Sequence, residues 1–181
     1  AEKRLFNQRA IAQCLTKSDV TPQWLNDESL YYITTDSDNF QGEIIHFNVK
    51  TNEHLPLFTQ RVKGADDYNF SVDPNGNRIA YIRYFPADTR SNKAQFELNV
   101  VDIQTGENRV ITPSVEGDIY TVDWFSGQKD TLIIHQNSNK KLINLQGAMS
   151  DISSAELNKL YHFSVNEQAQ LLYTKLEYRV E

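Results

Sequence analysis

Asp67-Tyr-Asn-Phe70-Ser-Val-Asp-Pro-Asn-Gly-Asn-Arg-Ile79-Ala-Tyr-Ile82 is the stretch that decides the fold. An aromatic residue opens it, a polar turn follows, and an apolar strand closes it. The turn Asp73-Pro74-Asn75-Gly76-Asn77 carries its own mechanism, since Pro presets φ and Asn-Gly accepts positive φ. The same order recurs in three other places. These are Val20–Ile33 around Trp24, Ile119–Ile134 around Trp124, and Leu160–Tyr173 around Phe163. The aromatics therefore stand at 24, 70, 124 and 163, with spacings of 46, 54 and 39 residues. Repeats of about 40–50 residues with several short strands are the signature of propeller blades.

The segments between these anchors repeat as well. A second apolar strand follows each of the first three: Ile44–Val49, Leu98–Ile103 and Lys141–Leu145. Polar turns at Lys50–Glu53 and Gln104–Glu107 lead into short closing strands at Leu55–Thr59 and Arg109–Thr112, which end in Phe58-Thr59 and Ile111-Thr112. Leu15-Thr16 matches those ends ahead of the first anchor. The expectation is an all-β chain of propeller-type repeats, each a four-stranded antiparallel sheet, with about four blades or a partial propeller. A β-sandwich would show similar alternation. The units fall near 17–59, 60–112, 113–158 and 159–181, with 9–16 as the outer strand of a preceding or closing blade. Two tracts break the regularity: Tyr84–Gln95 reads as a long polar loop, and Gln146–Asn158 as room for a short helix. Trp24, Phe70, Trp124 and Phe163 are expected at equivalent, buried places on the inner strands.

Phe70-Ser71-Val72-Asp73-Pro74-Asn75-Gly76-Asn77-Arg78-Ile79-Ala80-Tyr81 resembles the TolB-type propeller repeat, whose core runs aromatic-Ser-x-Asp-Gly-x-x-Ile-Ala-Tyr/Phe. Leu98–Glu107 is similar to that family's third strand and its Thr-Gly-Glu turn, and Pro22-Gln23-Trp24 to its Pro-x-Trp opening. The resemblance spans roughly Leu15 to Tyr173, although Trp24–Glu28 and Trp124–Gln128 lack the Asp-Gly pair. The family usually closes with about six blades, and this chain holds material for four at most.

The resemblance implies a domain that acts by binding, without catalysis or cofactor. Its partner would be a protein or a small ligand at the propeller rim. Open strand edges would favour self-association. Repeats of this type also form the periplasmic part of membrane-anchored winged-helix regulators resembling CadC and ToxR, which implies a periplasmic sensory role. The regulatory propeller of prolyl-oligopeptidase-like peptidases and a TolB-like interaction module are the alternatives.

Composition narrows the function classes further. The 181 residues carry a formal net charge of −6, and the longest basic run is Lys140-Lys141. A duplex-binding surface needs clustered Lys and Arg, so nucleic-acid binding by this segment is not expected. No apolar run approaches the roughly 20 residues that span a bilayer, so membrane insertion by this segment is not expected either. A single cysteine, Cys14, in an apolar stretch can build neither a disulfide framework nor a thiolate metal site.

The candidate chemical residues read more simply as structure. No Gly-x-Ser-x-Gly motif occurs; Ser71 and Ser126 fall in turns, and Ser164 follows a strand aromatic. His46, His54, His135 and His162 show no metal-ligand spacing, so no metal site is expected. Asp36–Glu43 is oxygen-rich, but Phe40 takes a ligand position and Gly42 comes one residue late for an EF-hand loop. It reads as a hairpin loop, and Asp66-Asp67 as a solvated turn.

Overall fold

The computed structural model describes residues 20–35, 42–58, 65–87, 93–115, 119–125, 128–136, 139–152, 162–165 and 171–174. Positions 35, 113–115, 120, 162–165 and 171–174 are described by backbone alone. Fourteen strands and no helix occur among these residues. The first sheet comprises β1 (Gln23–Trp24), β2 (Ser29–Thr35), β3 (Gly42–Asn48) and β4 (Glu53–Pro56). The second comprises β5 (Asp66–Val72), β6 (Arg78–Phe85), β7 (Gln95–Asp102) and β8 (Asn108–Val115). The third comprises β9 (Ile119–Trp124), β10 (Thr131–Gln136), β11 (Asn139–Asn144) and β12 (Met149–Asp151). A hairpin of β13 (His162–Val165) and β14 (Leu171–Thr174) follows. Every pairing is antiparallel, and each four-stranded sheet keeps its strands in chain order.

Turn chemistry sets these hairpins. Gly76 adopts φ 72° while its amide donates to the Asp73 carbonyl, and the Asp73 carboxylate accepts from the Asn77 amide. Asp102 closes the β7–β8 turn by accepting from the amides of Gln104 and Thr105, with Gly106 at φ 70°. Asn48 and Asn144 hold the corresponding turns of the first and third sheets in the same way.

The sheets stack face against face. Tyr31, Ile33 and Ile44 of the first meet Phe70, Ile79, Tyr81 and Val101 of the second. On the opposite face of the second sheet, Ala80, Ile82, Phe96, Leu98, Val100 and Ile111 meet Ile119, Val122, Trp124, Leu132, Ile134 and Ile143 of the third. Strand alternation makes this possible, because successive side chains of β6 and β7 serve opposite neighbours. The first strands lie innermost: β5 approaches both β1 and β9. The far face of the first sheet gathers Leu30, Tyr32, Ile45 and Phe47, with Trp24 against them.

Two expectations need correction. Trp24 pairs with Leu30 and Trp124 with Leu132, each at the second residue of the second strand. In the second sheet that place belongs to Val72, paired with Ile79; Phe70 pairs with Tyr81, two residues deeper. Phe163 pairs with Tyr173 and so follows Phe70. The four aromatics thus occupy two register positions. Period-two alternation cannot tell apart two residues that share a face, and the longer Asp73–Asn77 turn hid the offset. Phe70 and Trp124 are buried as expected, whereas Trp24 is only partly so.

The second correction concerns Gln146–Asn158. Its described part contains β12, the outer strand that completes the third sheet, where a short helix was expected. The proposed outer strand 9–16 lies outside the described residues.

Candidate functional site

The innermost strand of the second sheet carries an irregularity. Asp67 pairs with Arg83 and Asn69 with Ile82, so Tyr68 is an extra residue in a β-bulge. Bulges re-aim side chains and recur beside binding sites. Here the bulge leaves Tyr68 47% exposed although it belongs to an inner strand. Its ring stands edge-on to Phe96 at 6.3 Å, and Phe96 tilts against Tyr84 at 5.0 Å. Three aromatics from β5, β6 and β7 thus gather at the end of the sheet where the β4–β5 and β6–β7 connections lie.

Behind this cluster sits a buried ion pair. Arg83 Nε donates to Asp67 Oδ1 at 3.1 Å, and the guanidinium lies 5.2 Å from the Phe58 ring centre and 5.1 Å from that of Tyr81. Burial pushes the Asp67 carboxyl above its usual range, and Arg83 pulls against that rise. Burial likewise raises the Tyr81 phenol, whose hydroxyl donates to Asn108 Oδ1 at 3.1 Å. The solvated turn expected at Asp66-Asp67 is therefore strand, with Asp67 only 8% exposed. Gly42 allows the first sheet to close on this point, since a Cβ there would lie 2.3 Å from the Asp67 carbonyl oxygen. The bulge has no sequence signature of its own; only the pairing reveals it.

The other candidates fall into structural places. Ser71 lies in β5, and its carbonyl accepts from Trp124 Nε1 at 2.9 Å. Ser164 belongs to β13, and Ser126 lies outside the described residues. His46 packs against Tyr31 at 5.1 Å, and burial lowers its pKa. His54 stacks on Phe47 at 4.4 Å, its Nδ1 3.0 Å from the Tyr32 hydroxyl. His135 is in β10 and His162 in β13. Positions 36–41 of the oxygen-rich loop lie outside the described residues. Among the described residues no group of three His, Cys, Asp or Glu could hold a metal, and no helix is long and apolar enough to cross a membrane. One more charged pair is sequestered on the third sheet: Asp123, pushed up to about 7 by burial, and Lys140, which pulls against that rise.

Face-to-face sheets with their first strands at the centre have counterparts among solved structures. TolB from Acinetobacter baumannii superposes with a TM-score of 0.59 at 11% identity, over 84% of this chain and 36% of that one. Oligogalacturonate lyase from Vibrio parahaemolyticus gives 0.58 at 15%, over 74% and 39%. The β-propeller domain of the trilobed protease from Pyrococcus furiosus gives 0.50 at 17%, over 74% and 42%. The three sheets are propeller blades. At such identities the propeller fold is what is shared, and the chain spans 36–42% of the length of these structures. No protein-family profile matches the chain, and no curated protein is similar to it in sequence. The blades account for the recurrence of Trp24, Phe70 and Trp124 as packing residues, and among the described residues Tyr68 is the aromatic left exposed.

Proposed function

We propose that this chain is a non-catalytic binding domain whose recognition surface is the propeller rim around Tyr68, Tyr84 and Phe96. The exposed Tyr68 carries the reading: a bulge in an inner strand presents an aromatic ring that flat pairing would have placed between blades. Tyrosine offers a rigid, amphipathic contact area and is enriched in interfaces. The ligand is a protein segment or a small molecule with an apolar face. In its fuller form the reading makes the domain the periplasmic sensory part of a membrane-anchored transcriptional regulator, which rests on the sequence resemblance to that group. The rival is the regulatory propeller of a peptidase, favoured by the superposition on the trilobed protease propeller.

Two measurements test the reading. A thermal-shift screen of peptides and metabolites should yield a ligand whose effect is lost in Tyr68→Ala and retained in Val110→Ala, a change on the exposed outer strand β8. Purified protein should leave peptide, ester and phosphate substrates intact. Turnover that survives repurification and disappears on a point substitution would overturn it. The peptidase reading gains if the full-length gene encodes an α/β hydrolase region, and the sensor reading if it encodes a winged helix and one apolar span.

A further inference from the structure

The chain holds a single Asn-Gly pair, Asn75-Gly76, in the turn between β5 and β6. Asn75 is exposed, and Gly76 stands at φ 72°. A Cβ on Gly76 would lie 2.8 Å from Leu25 Cδ1, so Leu25 of the first blade rests on the glycine itself. Leu25 also packs on the apolar cluster that the first two blades share.

An asparagine side-chain amide is electrophilic at Cγ, and the backbone nitrogen of the next residue is its nearest nucleophile. Glycine puts no β-carbon in the way and leaves the backbone free to turn into the approach. Gly76 N gives its proton to a base in the solvent and bonds to Asn75 Cγ, while the Cγ–Nδ2 bond breaks and ammonia leaves. Water then opens the cyclic imide. Attack at Cγ restores the main chain with aspartate at position 75. Attack at the main-chain carbonyl instead leaves isoaspartate, joined to Gly76 through its side-chain carbon. The net change exchanges ammonia for water and needs no oxidant or cofactor.

The folded turn restrains this nucleophile. The Gly76 amide donates to the Asp73 carbonyl at 2.9 Å, and the Asp73 carboxylate accepts from the Asn77 amide and from Arg78 Nε. Swinging Gly76 N toward Asn75 Cγ breaks the first of these bonds and displaces Leu25. We propose that Asn75 is a site of spontaneous deamidation, gated by the docking of the first blade through Leu25 on Gly76. The isoaspartyl product adds a methylene to the main chain inside the turn, so the Asp73 bonds and the Leu25 contact no longer close together. Each conversion is then a one-way record of a moment when the first blade lifted from the second.

Timed incubation of the whole chain at mildly alkaline pH, followed by tryptic peptide mass spectrometry, tests this. Trypsin releases Gly64–Arg78, which also contains Asn69; because the bulky Phe70 follows it, Asn69 serves as the internal reference. Asn75 should gain the mass of an amide exchanged for a carboxylate, and an isoaspartyl methyltransferase should label the product. Conversion in the native chain should run at least about tenfold slower than in urea, since only the opened turn reacts. Leu25→Ala should speed native conversion about tenfold, the ratio expected for the packing it removes, with an unchanged far-ultraviolet spectrum. Should Leu25→Ala fail to fold, Leu25→Val should give a smaller acceleration in the same direction. Native conversion as fast as in urea overturns the gate. A folded Leu25 variant that converts no faster than the wild type overturns it equally, and conversion at Asn69 in preference to Asn75 overturns the site.

Discussion

Arg78 opens β6 and reaches out of its own sheet. Its Nε donates to Asp73 Oδ2 at 3.1 Å, an NH1 hydrogen goes to Asp130 Oδ1 at 2.7 Å, and the guanidinium lies 4.6 Å from the Trp124 ring centre. Asp73 is buried, so removing the cation leaves its carboxylate without a countercharge. A planar fork can serve two carboxylates and a ring at once, which an ammonium cannot. Arg78→Met should cost about 2–3 kcal/mol and Arg78→Lys should recover less than half of that; urea midpoints at neutral pH measure both. A loss within about 0.5 kcal/mol, the range of an ordinary surface change, would refute the latch. Asp123 gives the second residue-scale prediction. Its carboxyl is held up at about 7 by burial, against about 4 in an unfolded chain. Between those values the folded state binds the extra proton, so stability is highest below the unfolded value and falls as pH rises toward 7. Asp123→Asn should match the wild type near pH 4 and exceed it at pH 8, on the order of 1 kcal/mol. Thermal midpoints that run parallel across that range would count against it.

Strands and turns were the most legible elements. The polar turns at Asp73–Asn77, Lys50–Glu53 and Gln104–Glu107 announce their hairpins in the sequence, and β2, β3, β6, β7, β10 and β11 follow from apolar runs between them, whereas the capping roles of Asn48 and Asp102 show only in the structure. The outer strand β12 was not legible, because Met149-Ser150-Asp151 is exposed and lacks an apolar side to pattern. The rim was legible only as parts. The sequence alone places Tyr84 in a polar loop and Asp67 in a turn, since nothing in Asp66-Asp67-Tyr68-Asn69 distinguishes a bulged strand from a solvated bend. The bulge can be tested as an element. Deleting Tyr68 removes the extra residue and leaves Asp67 opposite Arg83 in an unbroken ladder. The buried ion pair then survives, and the loss should stay near that of Tyr68→Ala, below about 1 kcal/mol. Asp67→Ala strands the Arg83 guanidinium and should cost about 3 kcal/mol, the scale for breaking a buried pair. A deletion that costs as much as Asp67→Ala in calorimetry would mean that the bulge, and not the strand register, secures the ion pair.

At the scale of the molecule, the second blade is flanked by a four-stranded neighbour on each side, and the first and third share such a contact with it on one face. In an array whose units touch only their neighbours, stability is the sum of each unit's own contribution and its interfaces. The second blade therefore has two strong interfaces to lose before it opens. The contact with the third blade is also reinforced by polar ties, from Trp124 to Ser71 and from the Val122 amide to Asn69. The first blade is tied by Gln23, whose amide group bridges the Phe70 carbonyl and the Val72 amide. Opening should thus begin at the first blade and at the exposed outer strands β4 and β12, and reach β6 and β7 last. Native-state hydrogen exchange reads this order directly. Amides of Ile79–Ile82 and Leu98–Val101 should exchange only through global unfolding, while those of Ile44–Phe47 exchange through a smaller opening with a weaker denaturant dependence. If β2 and β3 outlast β6 and β7, the first blade is held by more than its contact with the second, and the nearest-neighbour account of this chain fails.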